Sequence, residues 1–167
     1  SDYDKILRQR NTLLKRASRT LRQGYGGSND SDSALDTLDT WDSHLAAAGA
    51  QVMAQRIVLA HVLSPHVKNA YQRLAPESRP AQITYRSTVD KALVEAGITP
   101  ETDANEVAGA TPVIEAVLLS ELARQLDTDI QRGTSTCGPH RDDVELLLGT
   151  QPARGYASHG ESWSFAL

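Results

Sequence analysis

Apolar residues recur at helical spacing along three long stretches, and that pattern confines the chain to a mainly α fold. From Tyr3 to Arg22, the residues Tyr3, Ile6, Leu7, Leu13, Leu14, Ala17 and Leu21 follow i, i+3, i+4, i+7 spacing. At about 100° per residue they fall on one side of a helix. Gly24, Gly26 and Gly27 are expected to end it, and Ser28 to Ser33 reads as a polar loop. A longer helix follows, capped by Asp32 or Ser33, with Leu38, Trp41, Leu45, Ala48, Val52, Leu59 and Leu63 as its expected buried stripe. Ser64-Pro65 marks either a fresh helix start or a kink, after which helix resumes through Val67, Ala70, Tyr71 and Leu74. These segments form a long antiparallel pair, the kind of arm that projects from a body. A third helix, Val113 to Gln131, carries Leu118, Leu119, Leu122, Leu126 and Ile130 on one side and stops at Gly133.

Composition agrees with helices. Of 167 residues 40% are hydrophobic but only 5% aromatic, so the core must be built from Leu, Val, Ile and Ala. No run approaches the ~18 apolar residues of a membrane span, and no basic-then-apolar leader precedes a cleavage site. The expectation is a chain without membrane association. The single Cys137 excludes an internal disulfide and a Cys-based zinc cage, and fits a reducing cytoplasm. The chain opens at Ser1 without Met, and Trp163 to Leu167 is an apolar run at the other end, so a piece of a longer protein is expected.

Between and after the helices the pattern changes. Gln82 to Arg86 alternates polar and apolar and reads as a short strand. Residues 97–112, with Gly97, Pro100, Gly109 and Pro112, read as loop with little to pack. Thr134 to Gly138 is strand-like. Val144 to Leu148, a turn at Gly149 to Pro152, and Ala153 to Ala157 read as a β-hairpin, and Ser158 onward as helix.

Charge is segregated. Residues 1–23 hold seven basic and two acidic side chains, net +5; the ten basic and nineteen acidic groups beyond give −9. On the first helix Arg8, Lys15, Arg19 and Arg22 run along the face opposite the apolar stripe, over roughly 20 Å at 1.5 Å per residue. Such a row can track a phosphate backbone. A charge run by itself is more often a solvated outer face, here paired with the acidic remainder. Arg10 differs, because it falls within the apolar arc. A buried guanidinium needs a carboxylate or several carbonyls, and Asp39 or Asp42 on the second helix could supply a carboxylate. Arg10 is read as structural, with Arg10→Leu expected to be far milder than Arg10→Ala.

Two motifs carry chemistry. The first is Arg132-Gly133-Thr134-Ser135-Thr136-Cys137-Gly138-Pro139-His140-Arg141-Asp142-Asp143. After a rigid Gly-Pro turn come a switchable imidazole, a fixed cation and two carboxylates, able to sense a phosphate or a bound cation. A plainer reading is a corner in which Asp142 or Asp143 caps the turn and Arg141 pairs to it. The second is Tyr156-Ala157-Ser158-His159-Gly160-Glu161-Ser162. Ser-x-x-Glu before an apolar run is a capping box. The same hydroxyl, the bare glycine and the N–H groups of a helix start also make an anion site, which is how ABC-type ATPases build the signature that touches a γ-phosphate held by the opposite subunit.

With this spacing and a hairpin between them, the two motifs resemble the RecF family of bacterial recombination and gap-repair proteins. That family carries R-G-x-T-x-x-G-P-H-R-D-D, then a hairpin, then S-x-G-Q-Q. Arg8-Gln9-Arg10-Asn11-Thr12-Leu13-Leu14-Lys15 resembles its R-Q-R-N-x-L-L-K. Leu38-Asp39-Thr40-Trp41-Asp42 resembles its L-x-x-W-D, and Tyr71 with Leu74 its Y-x-x-L. The likeness is weakest from Val89 to Thr111. Ser-His-Gly-Glu at the signature looks like the actinobacterial branch.

The resemblance implies an ABC-type ATPase head with an inserted helical arm, or lid. Residues 1–133 would be that arm, and residues 134–167 a partial head segment of strand, hairpin and signature-helix start. It also implies ATP with Mg²⁺ in the parent protein, ATP-dependent homodimerisation, binding to DNA gaps and single/double-strand junctions, and loading of RecA with mediators such as RecR. By the same likeness Ser158, Gly160 and Glu161 would contact ATP in trans, and His140 and Arg141 would lie behind the nucleotide or the dimer seam. The sequence holds no G-x-x-x-x-G-K-[ST] phosphate loop and no apolar strand ending in Asp-Glu. ATP hydrolysis by this chain alone is therefore not expected. Glu161 stands where the family has Gln, and His159 fills its variable slot.

Overall fold

The computed structural model describes the backbone at residues 1–23 and 28–166, and the side chains at 1–20 and 37–163. Among the described residues seven helices and three strands follow in the order α1 (Asp2–Gln23), α2 (Ser28–Leu74), β1 (Ala81–Arg86), α3 (Asp90–Glu95), α4 (Ala104–Gly109), α5 (Thr111–Arg132), β2 (Asp143–Leu148), β3 (Gln151–Pro152), α6 (Ala153–Tyr156) and α7 (His159–Ala166).

α2 is the spine. It packs against α1, α4, α5 and β1. Its inward residues Leu45, Ala46, Ala50, Met53, Ala54 and Ile57 recur at helical spacing and join Ile114, Leu118 and Leu122 of α5 in one buried cluster. Each fully buried Leu or Ile contributes about 1.5–3 kcal/mol relative to exposure. Close approach sets the geometry there. A Cβ added to Gly49 would stand 2.6 Å from Leu118 Cδ2, so the turn from Ala46 to Ala50 must stay small for α5 to seat. By length and composition the Thr37–Leu74 portion of α2 could cross a membrane. Its packing against α1, α5 and β1 marks it as a core helix in this fold.

α1 lies along α2 and α5, with Tyr3 and Leu14 buried and Ile6, Leu7, Leu13 and Ala17 half-buried. α5 ends where expected: Gly133 takes φ +65°, a left-handed cap that L side chains rarely adopt. The sheet has the order β1-β2-β3, all antiparallel. β1 and β2 pair over six residues, from Ala81↔Leu148 to Arg86↔Asp143, so strands from either side of Gly133 share one sheet.

Several expectations are corrected. Residues 28–33, read as loop, belong to α2, which runs on through Pro65. The side chains of the expected caps Asp32 and Ser33, and residues Gly24, Gly26 and Gly27, lie outside the described set. Leu59 and Leu63 are exposed, at 54% and 41%: the inward stripe of α2 runs on through Ile57, Ala60 and Tyr71, and these two leucines stand beside it. The stretch 97–112 contains α4, and its Ile98 and Val107 are buried in the cluster that α2 and α5 share. Thr134 to Gly138 forms a loop. The second hairpin strand is only Gln151–Pro152, since Ala153–Tyr156 coils into a short helical turn interrupted at Arg154 and Gly155. The long partner of β2 is therefore β1.

Candidate functional site

The Ser158 turn sits at the start of α7. Glu161 N–H donates to Ser158 Oγ at 3.3 Å, and Ser158 N–H donates to Glu161 Oε2 at 2.8 Å. This reciprocal pair satisfies two donors that a helix start otherwise leaves open. The Ser158 N–H, then its hydroxyl, hold the Glu161 carboxyl down to about 2, so it is ionised at neutral pH. Ser158, His159 and Gly160 are exposed, and a Cβ at Gly160 would meet open space. The Ser158 hydroxyl accepts from the Glu161 N–H within the cap and stands at the exposed start of α7.

A second assembly lies inside the fold, where Arg10 is wholly buried. Its Nε donates to Asp42 Oδ1 at 2.5 Å, and its Nη1 donates to Asp129 Oδ2 at 2.6 Å and to Ser135 Oγ at 2.8 Å. Burial pulls the guanidinium pKa down, but the bonds and charges of Asp42 and Asp129 outweigh it and raise it overall. Asp39, the other expected partner, is exposed. The Arg10 bonds go elsewhere, and the Asp39 backbone carbonyl accepts from Ser43 Oγ. Asp129 and Ser135 were not anticipated. Asp129 lies seven residues beyond Leu122, on the same apolar arc of α5, and an acid in that position was the available signal.

The Arg132–Asp143 motif is a loop built onto this cluster. Asp129 Oδ1 accepts from Thr136 N–H at 2.9 Å and Thr136 Oγ1 at 2.6 Å, while Asn11 Oδ1 accepts from Ser135 N–H and Oγ, both at 2.8 Å. Gly138 takes φ +113°, and a Cβ there would stand 2.9 Å from Tyr3 Oη. Burial pushes the Cys137 thiol up to about 12, which removes it as a nucleophile at neutral pH.

His140 faces inward. The Ser135 carbonyl can only accept, so Nε2–H donates to it, at 3.2 Å. Nδ1 of the neutral ring then accepts from the Tyr3 hydroxyl at 2.7 Å. Burial lowers the imidazole pKa below 6.5. Arg141 is exposed, and its Nε and Nη2 reach the Ser135 carbonyl at 3.4 Å. It does not pair with Asp142. Asp142 instead accepts from Tyr85 Oη, Ser87 Oγ, Thr88 N–H and Thr88 Oγ1, tying the loop to the end of β1.

On α1, Arg8, Lys15 and Arg19 are exposed, and none makes an ion pair among the described residues. The Arg22 side chain lies outside the described set. No group of three or more metal-ligating side chains converges among the described residues.

No family model matches the chain. Whole proteins do. It is 48% identical over its full length to the DNA replication and repair protein RecF of Corynebacterium jeikeium, of which it covers 43%. It is 51% identical over its full length to the same-named protein of Rhodococcus erythropolis, of which it covers 40%. Among solved structures it resembles the recombination mediator protein RecF of the RecFOR pathway, determined with ATP (TM-score 0.73) and with ATPrS (0.71). Both are 24% identical to it and match 98% of this chain and 37% of theirs, a likeness of fold. Along its full length the chain is therefore a homologue of the RecF family, matching about two fifths of the length of its curated actinobacterial relatives.

Proposed function

We propose that this chain is the helical arm (residues 1–133) and returning head segment (residues 134–167) of a RecF-type DNA replication and repair protein, and that it supplies the trans half of an ATP site. The observation that carries this reading is the Ser158–Glu161 capping pair, which leaves an exposed hydroxyl at the start of α7. Ser158 Oγ–H and the Gly160 N–H would hold the γ-phosphate presented by a second copy, and Glu161 would keep the turn in shape. ATP with Mg²⁺ would supply the phosphoanhydride chemistry, with the phosphate loop in the remainder of the parent protein. Arg141, whose cation is at the surface, is the better of the two motif residues to reach the nucleotide or the dimer seam. His140 would act behind it, through the loop. The parent protein would work in the cytoplasm at DNA gaps and junctions, with RecR-like mediators, to load RecA.

The test is Ser158→Arg in the complete protein. ATP-driven dimerisation measured by sedimentation should be abolished while the fold is kept. Unchanged dimerisation would defeat the signature assignment.

A second reading is favoured by the charge on α1. Arg8, Lys15 and Arg19, exposed and without an ion pair among the described residues, would contact the DNA backbone, as would Arg22, so that arm and head divide the work. This would hold even for a helical binding module with no nucleotide chemistry.

A further inference from the structure

We infer that Arg79, in the segment between α2 and β1, is a positioning residue for the Ser158 turn. The inference rests on the reading of that turn as a phosphate half-site. A capping box needs no cation, yet this one has one. Arg79 Nη2 donates to both Glu161 oxygens at 3.3 Å, and also to the Tyr156 carbonyl at 3.4 Å. One guanidinium thus holds the residue that enters the turn and the residue that closes it.

The segment carrying Arg79 is itself anchored. Ser78 Oγ donates to Glu161 Oε1 at 3.2 Å, so its remaining capacity is as an acceptor, and the Tyr71 hydroxyl donates to it at 3.2 Å. Tyr71 is buried near the end of α2. On the other side Gly149 N–H donates to the Pro80 carbonyl at 2.8 Å, pinning the segment to the turn between β2 and β3. The Ser158–Glu161 pair gives the turn its internal shape. Arg79, Ser78 and their anchors fix its attitude to the rest of the fold, and so the direction in which the Ser158 hydroxyl faces.

The experiment is a titration of ATP-driven dimerisation of the complete parent protein by sedimentation velocity, with monomer ATP affinity and Tm measured in parallel. Arg79 is 44% exposed, so the ion pair is modest. Arg79→Ala should weaken the dimer about three- to fivefold, leaving Tm and monomer ATP affinity at their wild-type values. Arg79→Lys should recover part of the loss. In a Glu161→Gln background Arg79→Ala should cost less, because the charge it holds has gone. Wild-type dimerisation by Arg79→Ala, alongside failure of Ser158→Arg, would overturn this inference and leave the signature reading standing. Dimerisation by Ser158→Arg would overturn both. A loss matched by a fall in Tm would also overturn it, reducing Arg79 to a tie that holds the fold.

Discussion

Arg10 and Asp129 meet at 2.6 Å with neither side chain touching solvent, joining α1 to α5 where both helices carry an otherwise apolar face. Asp42 completes the cluster from α2. A buried cation shared by two carboxylates changes what its removal does. Arg10→Leu and Arg10→Ala alike strand the negative charge of Asp42 and Asp129 in the interior, so Leu is not the mild variant that a replacement of the whole pair would be. Both substitutions should cost about 3–5 kcal/mol in urea unfolding. Adding Asp42→Asn to Arg10→Leu should return part of it. Asp129 keeps its bonds from Thr136, so it should be the less damaging acid to leave behind.

The His140 pocket makes stability depend on pH. Its folded-state pKa is depressed by burial below 6.5, with the Arg141 charge working the same way, while Asp142 and Asp129 oppose them. Between the folded and unfolded values the unfolded chain binds the extra proton. The contribution is therefore complete above about pH 6.5 and is lost as pH falls through 6.5 towards the folded value, at up to about 1.4 kcal/mol per pH unit. Thermal unfolding from pH 7.5 to 5.5 should show this slope, and His140→Gln should flatten it. An unchanged slope in the variant would assign the proton elsewhere.

Asp142 gathers four donors from the end of β1 and the turn after it. Asp142→Ala leaves them competing for no acceptor and should destabilise by about 2–4 kcal/mol. Asp142→Asn keeps the shape and part of the accepting capacity, and should cost about half as much. Amide exchange at Thr88 is the direct readout, and it should accelerate in both variants.

The α1 row should be tested by salt. Each phosphate neutralised changes the slope of log affinity against log salt by about 0.9 on duplex DNA. Lys15→Glu/Arg19→Glu should flatten the slope by about two and leave helix content unchanged. Unaltered affinity and slope would make that face a solvated one.

The three long helices were legible because each buries a face long enough for its period to show. The small elements were not. α4 places only Val107 in the core, too little for any periodicity to register. β3 is two residues long, and Gln151–Pro152 followed by Ala153 gives no local sign that pairing stops there. Arg10 stood out as a charge on an apolar arc, and Asp129 could have been read in the same way. Which helix supplies a buried partner is a tertiary fact, however, and this is why Asp39 and Asp42 stood equal until α2 was placed against α1. The Ser158–Glu161 cap is local chemistry and could be read directly. Its tether to Arg79 spans more than eighty residues and could not.

β1 and β2 pair in full, yet every residue from Ser87 to Asp142 lies between them in the chain. During synthesis β1 emerges long before its partner and waits with an open edge while α3, α4 and α5 form behind it. Local helix contacts form quickly; this strand pairing must be late. A nascent chain halted near Gly133 would carry Ala81 to Arg86 as an unclosed template, ready to pair with another copy. Between translating β1 and translating β2 the edge that β2 later covers therefore stands open, and it closes when Leu148 pairs with Ala81.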